Sequence, residues 1–355
     1  IVVTSHTNFY HMKNLFYIVL ISLLTSCAAI HNVPTSQNPN NFIQPNTTSS
    51  FVDQNGNFYP DNWLKTYGNP PKNAGRRDYS LMKIATENNF QNKLTSYEDL
   101  RLKNIEKRVK NKKRVIIFVH GIDNDYLFSL KNYNKAQTYM NVNSSNDEVI
   151  NFYWDGLVNE SLFGAAKVWV SATTNSQMAG VFGLRRILNV IHNKDVYLIS
   201  HSRGASVVLS SLVNPSLRGS EIKRAENAHH VDFTEAEALK ENGNSIYSIM
   251  LAPAIGKIDF TTDTEQLKSF SPQLKRMHIT INNTDYVLGK GKIGFLSENL
   301  IATDFGYKKD LFDELSKNYT FLEETDFSGQ KTHEFRDYIT NPKFVSILKE
   351  FKLAK

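Results

Sequence analysis

The sequence predicts an α/β fold with a mostly parallel central sheet and helices on both faces. Three observations predict it. Two apolar, β-branched runs, Arg114 to Val119 and Val196 to Ile199, have the length and composition of buried strands. The first ends in His120-Gly121, and the second in Ser200-His201-Ser202-Arg203-Gly204-Ala205, where serine alternates with larger residues before Gly204 and Ala205. Behind the second run the spacing turns helical, with apolar residues at Val208, Leu209, Leu212 and Val213. The 355 residues include one cysteine, so no intramolecular disulfide can form and stability must come from the core.

At the N-terminal end, Met12-Lys13-Asn14 precedes an apolar stretch from Leu15 to Leu24, then Thr25-Ser26-Cys27. About ten apolar residues are too few for a bilayer-spanning helix, which needs ~20. A charged start, a short apolar segment and small residues before a cysteine resemble a bacterial lipoprotein signal peptide over residues 12–26. That resemblance implies cleavage before Cys27, lipid modification of Cys27, and a membrane-anchored protein of the cell envelope. Residues 1–11 are expected to be an upstream extension from a mis-assigned start. Residues 27–73 are rich in Asn, Pro, Ser, Thr and Gln, and read as a flexible tether. The domain is then expected over 74–355, with its core at 114–342. With leader and tether set aside, roughly 280 residues remain, enough for one α/β domain with a covered sheet.

The net charge is +6, and much of it lies between Arg101 and Arg114. That run lacks aromatic platforms or a nucleic-acid module, so it reads as a solvated helix face leading into the first central strand. Val149 to Trp154 is the next strand. The segment 155–182 must contribute to the helix that precedes the strand at 196, and its remainder is a candidate lid or pocket wall, with Trp154 and Trp169 as candidate lining. Gly289-Lys290-Gly291-Lys292 lacks the spacing of a phosphate loop. No metal or nucleotide cofactor is implied.

The junction at Ser202 is where chemistry enters. A serine between small residues at a strand end suits a sharp turn that lifts its hydroxyl out of the sheet, towards the start of the next helix. The usual pattern is Gly-x-Ser-x-Gly, and here Ser200 occupies the first position. Together with the upstream strand ending in His120-Gly121, this junction resembles the nucleophile elbow of the α/β-hydrolase superfamily, from about Arg114 to about Pro342. The resemblance implies a serine hydrolase with Ser202 as nucleophile, and backbone N–H groups of Ile122 and Arg203 facing the developing oxyanion. It also implies a structural His120 and a triad in the order Ser, acid, His.

Four histidines follow Ser202. His278 lies inside a strand-like run, and His229 and His230 sit in a charged segment without metal-ligand spacing. His333 follows the strand-like Tyr319 to Glu323, in a loop where this fold delivers its base. For the acid, Asp285 lies just past the strand Met277 to Ile281, and Asp259 follows the strand Ser245 to Leu251. Asn282-Asn283-Thr284-Asp285 with His333-x-Phe335-x-x-Tyr338 before Asn341-Pro342 resembles a poorly characterised bacterial branch of hydrolases of unknown function. Asp285 is preferred on topology and on that resemblance, with Asp259 as the alternative.

The reading is a membrane-anchored esterase or lipase-like hydrolase acting on a small-molecule or lipid ester. A non-catalytic binding lipoprotein on the same scaffold, or a peptidase or acyltransferase with the same triad, are the alternatives.

Overall fold

Apolar runs covered on both sides build the centre of the sheet. Along Arg114–Val119, Val115, Ile117 and Val119 join one hydrophobic cluster while Ile116 and Phe118 join another. Alternate side chains of a strand point to opposite faces. A strand buried on both faces therefore reads as a continuous apolar run.

The computed structural model describes residues 29–34, 43–44, 46–61, 80–159, 165–229, 231–290 and 303–355. The expected leader at 12–26, residues 1–11 and Cys27 lie outside the described residues, as do His230, Gly291 and Lys292. The strands are β1 (Ala29–Ile30), β2 (Ile43–Gln44), β3 (Thr47–Phe51), β4 (Arg114–Val119), β5 (Asp147–Tyr153) and β6 (Val158–Asn159). They continue with β7 (Asp195–His201), β8 (Val213–Asn214), β9 (Ser245–Leu251), β10 (Ser269–Phe270), β11 (Leu274–Ile281) and β12 (Leu322–Asp326). Eight of them form one sheet in the order β12-β11-β9-β7-β4-β5-β3-β2, parallel throughout except for β2 against β3.

Helices α1 (Leu81–Glu87), α2 (Gln91–Val109), α3 (Tyr126–Gln137), α4 (Ala165–Met178), α5 (Gly204–Leu212), α6 (Tyr286–Lys290), α7 (Phe335–Thr340) and α8 (Pro342–Glu350) pack around it. Ile105 of α2, Ala172 of α4 and Val207 of α5 cover one face. Leu81 of α1, Tyr133 of α3 and Phe344 of α8 cover the other. Among the described residues, no helix is long and apolar enough to cross a membrane.

Parts of the expected tether depart from that reading: β2 and β3 belong to the main sheet, and β1 pairs with β6. β3 pairs with β5 from Thr47 opposite Val149 to Phe51 opposite Tyr153. Phe51, Phe58 and Tyr59 are buried. The polar composition misleads because a polar side chain of this strand finds its partner inside the fold: Thr48 Oγ1 donates to Glu148 Oε1 at 2.8 Å.

Asp53 fastens this strand to α1. Its buried carboxylate accepts the N–H groups of Asn55 and Asn57 at 2.9 Å and of Leu81 at 2.6 Å. Burial outweighs these donors and pushes the carboxyl up from 3.8 to about 6. Between those values the folded chain keeps a proton that the unfolded chain has released. Asp53's contribution is therefore full below 3.8 and is lost as pH rises through about 6. Asp53→Asn should remove that slope from a plot of denaturant midpoint against pH.

Candidate active site

The C-terminal ends of β4, β7 and β11 and the loop after β12 converge on Ser202. β7 is central, with Val119 of β4 beside Ser200 and Leu251 of β9 beside His201. Ser200 is fully buried there. Past the strand, Ser202 adopts φ 51°, a left-handed conformation that costs a non-glycine residue of order 1–3 kcal/mol. Hydrogen bonds hold it there: Ser202 N–H donates to Leu251 O at 2.9 Å, and Ala254 N–H donates to Ser202 O at 3.1 Å. Only glycine fits at 204, where a Cβ would stand 2.5 Å from His120 O.

The structure brings Ser202, His333 and Asp285 together. His333 Nδ1–H donates to Asp285 Oδ2 at 2.7 Å, which leaves Nε2 to accept the Ser202 hydroxyl at 2.7 Å. Asp285 is fully buried at the start of α6, and its Oδ1 accepts the N–H groups of Val287 and Leu288 at 2.9 and 3.1 Å. Asp259 lies elsewhere: its Oδ2 accepts Gly256 N–H at 2.9 Å, and its Oδ1 stands 3.9 Å from Arg203 Nη2.

Three residues outside the candidate set support this arrangement. Tyr338 on α7 donates its hydroxyl to Asp285 Oδ2 at 2.9 Å and accepts from Asn282 Nδ2 at 2.8 Å. Burial, and then the Asp285 charge, raise the Tyr338 pKa, so the phenol stays a donor. His201 Nε2–H donates to the carbonyl of His333 at 2.8 Å. Burial pushes the His201 pKa well below its ordinary value, which keeps the ring neutral. Asn282 and Tyr338 are polar residues inside the two strings singled out above, and that is the signal by which they could have been found. His201 had no such mark beyond its place beside the serine.

The turn after β4 faces the elbow. A Cβ on Gly121 would stand 2.8 Å from Ser202 Cβ, so the backbone approaches the serine closely. His120 braces this turn: its Nε2 accepts Trp154 N–H at 3.2 Å, its Nδ1–H donates to Gly121 O at 2.7 Å, and Trp154 Nε1–H donates to His120 O at 2.7 Å. Burial lowers the His120 pKa to about 4. Trp154 is thus core, and Trp169 packs partly buried on the opposite hydrophobic cluster. Among the described residues, the N–H groups of Ile122 and Arg203 have no acceptor within the chain. Two such donors near a serine can take up negative charge on a bound oxygen.

His278 is away from the serine, buried on β11 with Nε2 on Thr325 Oγ1 at 2.8 Å. It gathers with Glu323 and Glu350, but the Arg276 guanidinium already occupies that group, at 2.5 Å from Glu323 and 3.8 Å from Glu350.

Residues 98–294 match the family described as alpha/beta hydrolase of unknown function (DUF900). Ser202 and Asp285 fall inside that span and His333 beyond it. No curated protein matches the sequence. Among solved structures, a yden-like hydrolase of Pectobacterium atrosepticum is 15% identical, with 71% of this chain and 95% of that chain covered and a TM-score of 0.33. Esterase 2 of Thermogutta terrifontis is 12% identical, with 69% and 86% covered and a TM-score of 0.33. Est1E of Butyrivibrio proteoclasticus is 13% identical, with 68% and 88% covered and a TM-score of 0.30. Matched over more than half its length, the chain belongs to the α/β-hydrolase family of unknown function and is a hydrolase.

Proposed function

We propose that the protein is a membrane-anchored serine hydrolase that cleaves a carboxylic ester through Ser202, His333 and Asp285. The observation that carries this reading is the His333 ring, 2.7 Å from both Ser202 Oγ and Asp285 Oδ2. Serine is a weak nucleophile unless a base takes its proton during attack. His333 Nε2 takes that proton as Ser202 Oγ adds to the ester carbonyl. Asp285 holds the ring in the tautomer that leaves Nε2 free, and stabilises the imidazolium that forms. The N–H groups of Ile122 and Arg203 receive the oxyanion, each such donor contributing about 2.7–4 kcal/mol. Collapse expels the alcohol, which takes the proton from His333, and water then cleaves the acyl-enzyme through the same groups. Anchoring is assigned to a lipid on Cys27, as the Leu15–Cys27 pattern implies.

Ser202→Ala should abolish labelling by a fluorophosphonate probe and any ester hydrolysis, while circular dichroism stays that of the folded protein. A variant that still hydrolyses esters at full rate would overturn the assignment. Asp285→Asn should lower kcat on the order of 10⁴, because the amide favours the wrong imidazole tautomer. Asp259→Asn should retain labelling, since its carboxylate makes no contact with His333.

Tyr338→Phe removes one hydrogen bond to a charged acceptor, worth about 1.5–3 kcal/mol. If that bond acts in the transition state, kcat/KM falls by about 10–100-fold. Steady-state kinetics on a chromogenic short-chain ester measure it, and an unchanged value would leave Tyr338 a packing residue.

Cys27→Ser should move the protein from the membrane fraction to the soluble fraction. The anchor's affinity comes from its acyl chains, at about 0.8 kcal/mol per buried CH₂.

A further inference from the structure

We infer that the C-terminal edge of the sheet, which carries the mouth of the candidate site, is the surface that lies against the lipid bilayer. This rests on the lipidated Cys27 and on the hydrolase reading, and two independent placements support it.

The first is the length and destination of the chain behind the anchor. β1 begins at Ala29, two residues after Cys27, and two residues reach at most about 7 Å. β1 pairs with β6, Ala29 opposite Asn159 and Ile30 opposite Val158. Beyond it, the His31 ring bonds the Asp155 carboxylate, and Asn32 N–H donates to the other oxygen at 2.9 Å. The Asn32 amide also donates to Asn124 O at 3.2 Å and Trp154 O at 3.3 Å. Asn124 and Asp155 lie just past the C-terminal ends of β4 and β5, beside the Ile122 turn. Asp123 N–H ties that turn to Gly156 O and Leu157 O. The anchor-proximal segment is therefore fastened to the loops around the site.

Reach then decides the orientation. β7 has seven residues, about 23 Å from one sheet edge to the other at 3.3 Å per residue. A spacer of about 7 Å cannot bring the opposite edge to the membrane while β1 stays paired.

The second placement is apolar. Leu127 and Phe128, 56% and 40% exposed, open α3 directly after the β4 loop. Tyr286, 55% exposed, follows Asp285 at the end of β11. They stand on either side of Ser202, on the same edge as the anchored segment. Apolar and aromatic side chains of this kind sink about 5–10 Å into the headgroup boundary. The rival surface is a depression of about 480 Å³ at the opposite edge, where Lys103, Lys107, Lys110, His192 and Lys194 outnumber the one acid, Glu106. It suits anionic headgroups, but the spacer does not reach it. A mouth held at the bilayer takes an ester carried in the leaflet, with its acyl chain drawn from the membrane.

The test uses full-length, signal-processed protein with Phe128→Cys, Tyr286→Cys or His192→Cys, each labelled with an environment-sensitive maleimide while the Cys27 thiol is taken up by the lipid. Leu127→Cys replaces Phe128→Cys if that variant does not fold. The vesicles are phosphatidylethanolamine and phosphatidylglycerol with a doxyl quencher on the acyl chains. The expected result is a blue shift and quenching at 128 and 286, with the dye at 192 unchanged. Quenching at 192 alone, or at no position on protein that floats with the vesicles, overturns the inference and leaves the anchor standing. Unmodified protein that fails to float, or a Cys27→Ser variant that still floats, brings down the anchor and the inference together. Fluorophosphonate labelling of the same samples reports separately on the serine.

Discussion

Ser202 at φ 51° is the constraint around which the rest of the molecule is arranged. A left-handed serine is stable only if its surroundings leave it no alternative. The parallel register of β4, β7 and β9 provides them, by setting Leu251 O against Ser202 N–H and the 252–256 loop against Ser202 O. Gly121 lets the turn after β4 come up to the Ser202 side chain, and Gly204 lets the start of α5 close on the Val119 and His120 backbone, at distances any Cβ would prevent. One strained residue thus needs three strands and two glycines in place at once.

The acid beside the base is buried, and its neighbours keep its charge and direction. Asp285 accepts four donors: two backbone N–H groups on one oxygen, and Tyr338 and His333 on the other. Burying a carboxylate is costly unless it is hydrogen-bonded in this way. His201 fixes the His333 carbonyl, and Asn282 Nδ2 takes the Gln330 carbonyl at 2.6 Å, so the loop after β12 is held at two points. The position of His333 is therefore a property of β11 and β7 as much as of its own loop.

What could be read from the sequence follows from the same physics. β4, β5 and β7 were legible because burial on both faces leaves an apolar run that needs no partner to be recognised. Ser202 was legible because the turn demands small neighbours, and His333 because few histidines remained after it. β3 was hidden: Thr47-Thr48-Ser49-Ser50-Phe51 reads as polar until Glu148 is known to lie beside Thr48. Asp285 and Asp259 both follow strand ends; topology and the Asn282-Asn283-Thr284-Asp285 string favoured Asp285, but the ring it meets lies 48 residues further on. His201 carries its hydrogen bond across 132 positions of sequence, beyond any pattern in the chain around it.

Asp259 still bears on the site, from beneath the elbow. Arg203 is buried there, donating to Ala254 O at 2.9 Å and to Ser176 Oγ at 3.3 Å, with Asp259 at 3.9 Å. Burial lowers its pKa, and Asp259 and then Glu221 oppose that shift. Ala254 returns the contact by donating its N–H to Ser202 O, while Asp259 pins Gly256 of the same loop. The guanidinium is thus tied to α4, to the loop after β9 and to a carboxylate, and its own peptide cannot turn freely. That peptide carries one of the two N–H groups assigned to the oxyanion, and a donor is most effective when it needs no reorganisation. Lysine would keep the charge but lose the planar fork that reaches these partners at once, so its ammonium would leave the peptide less firmly held.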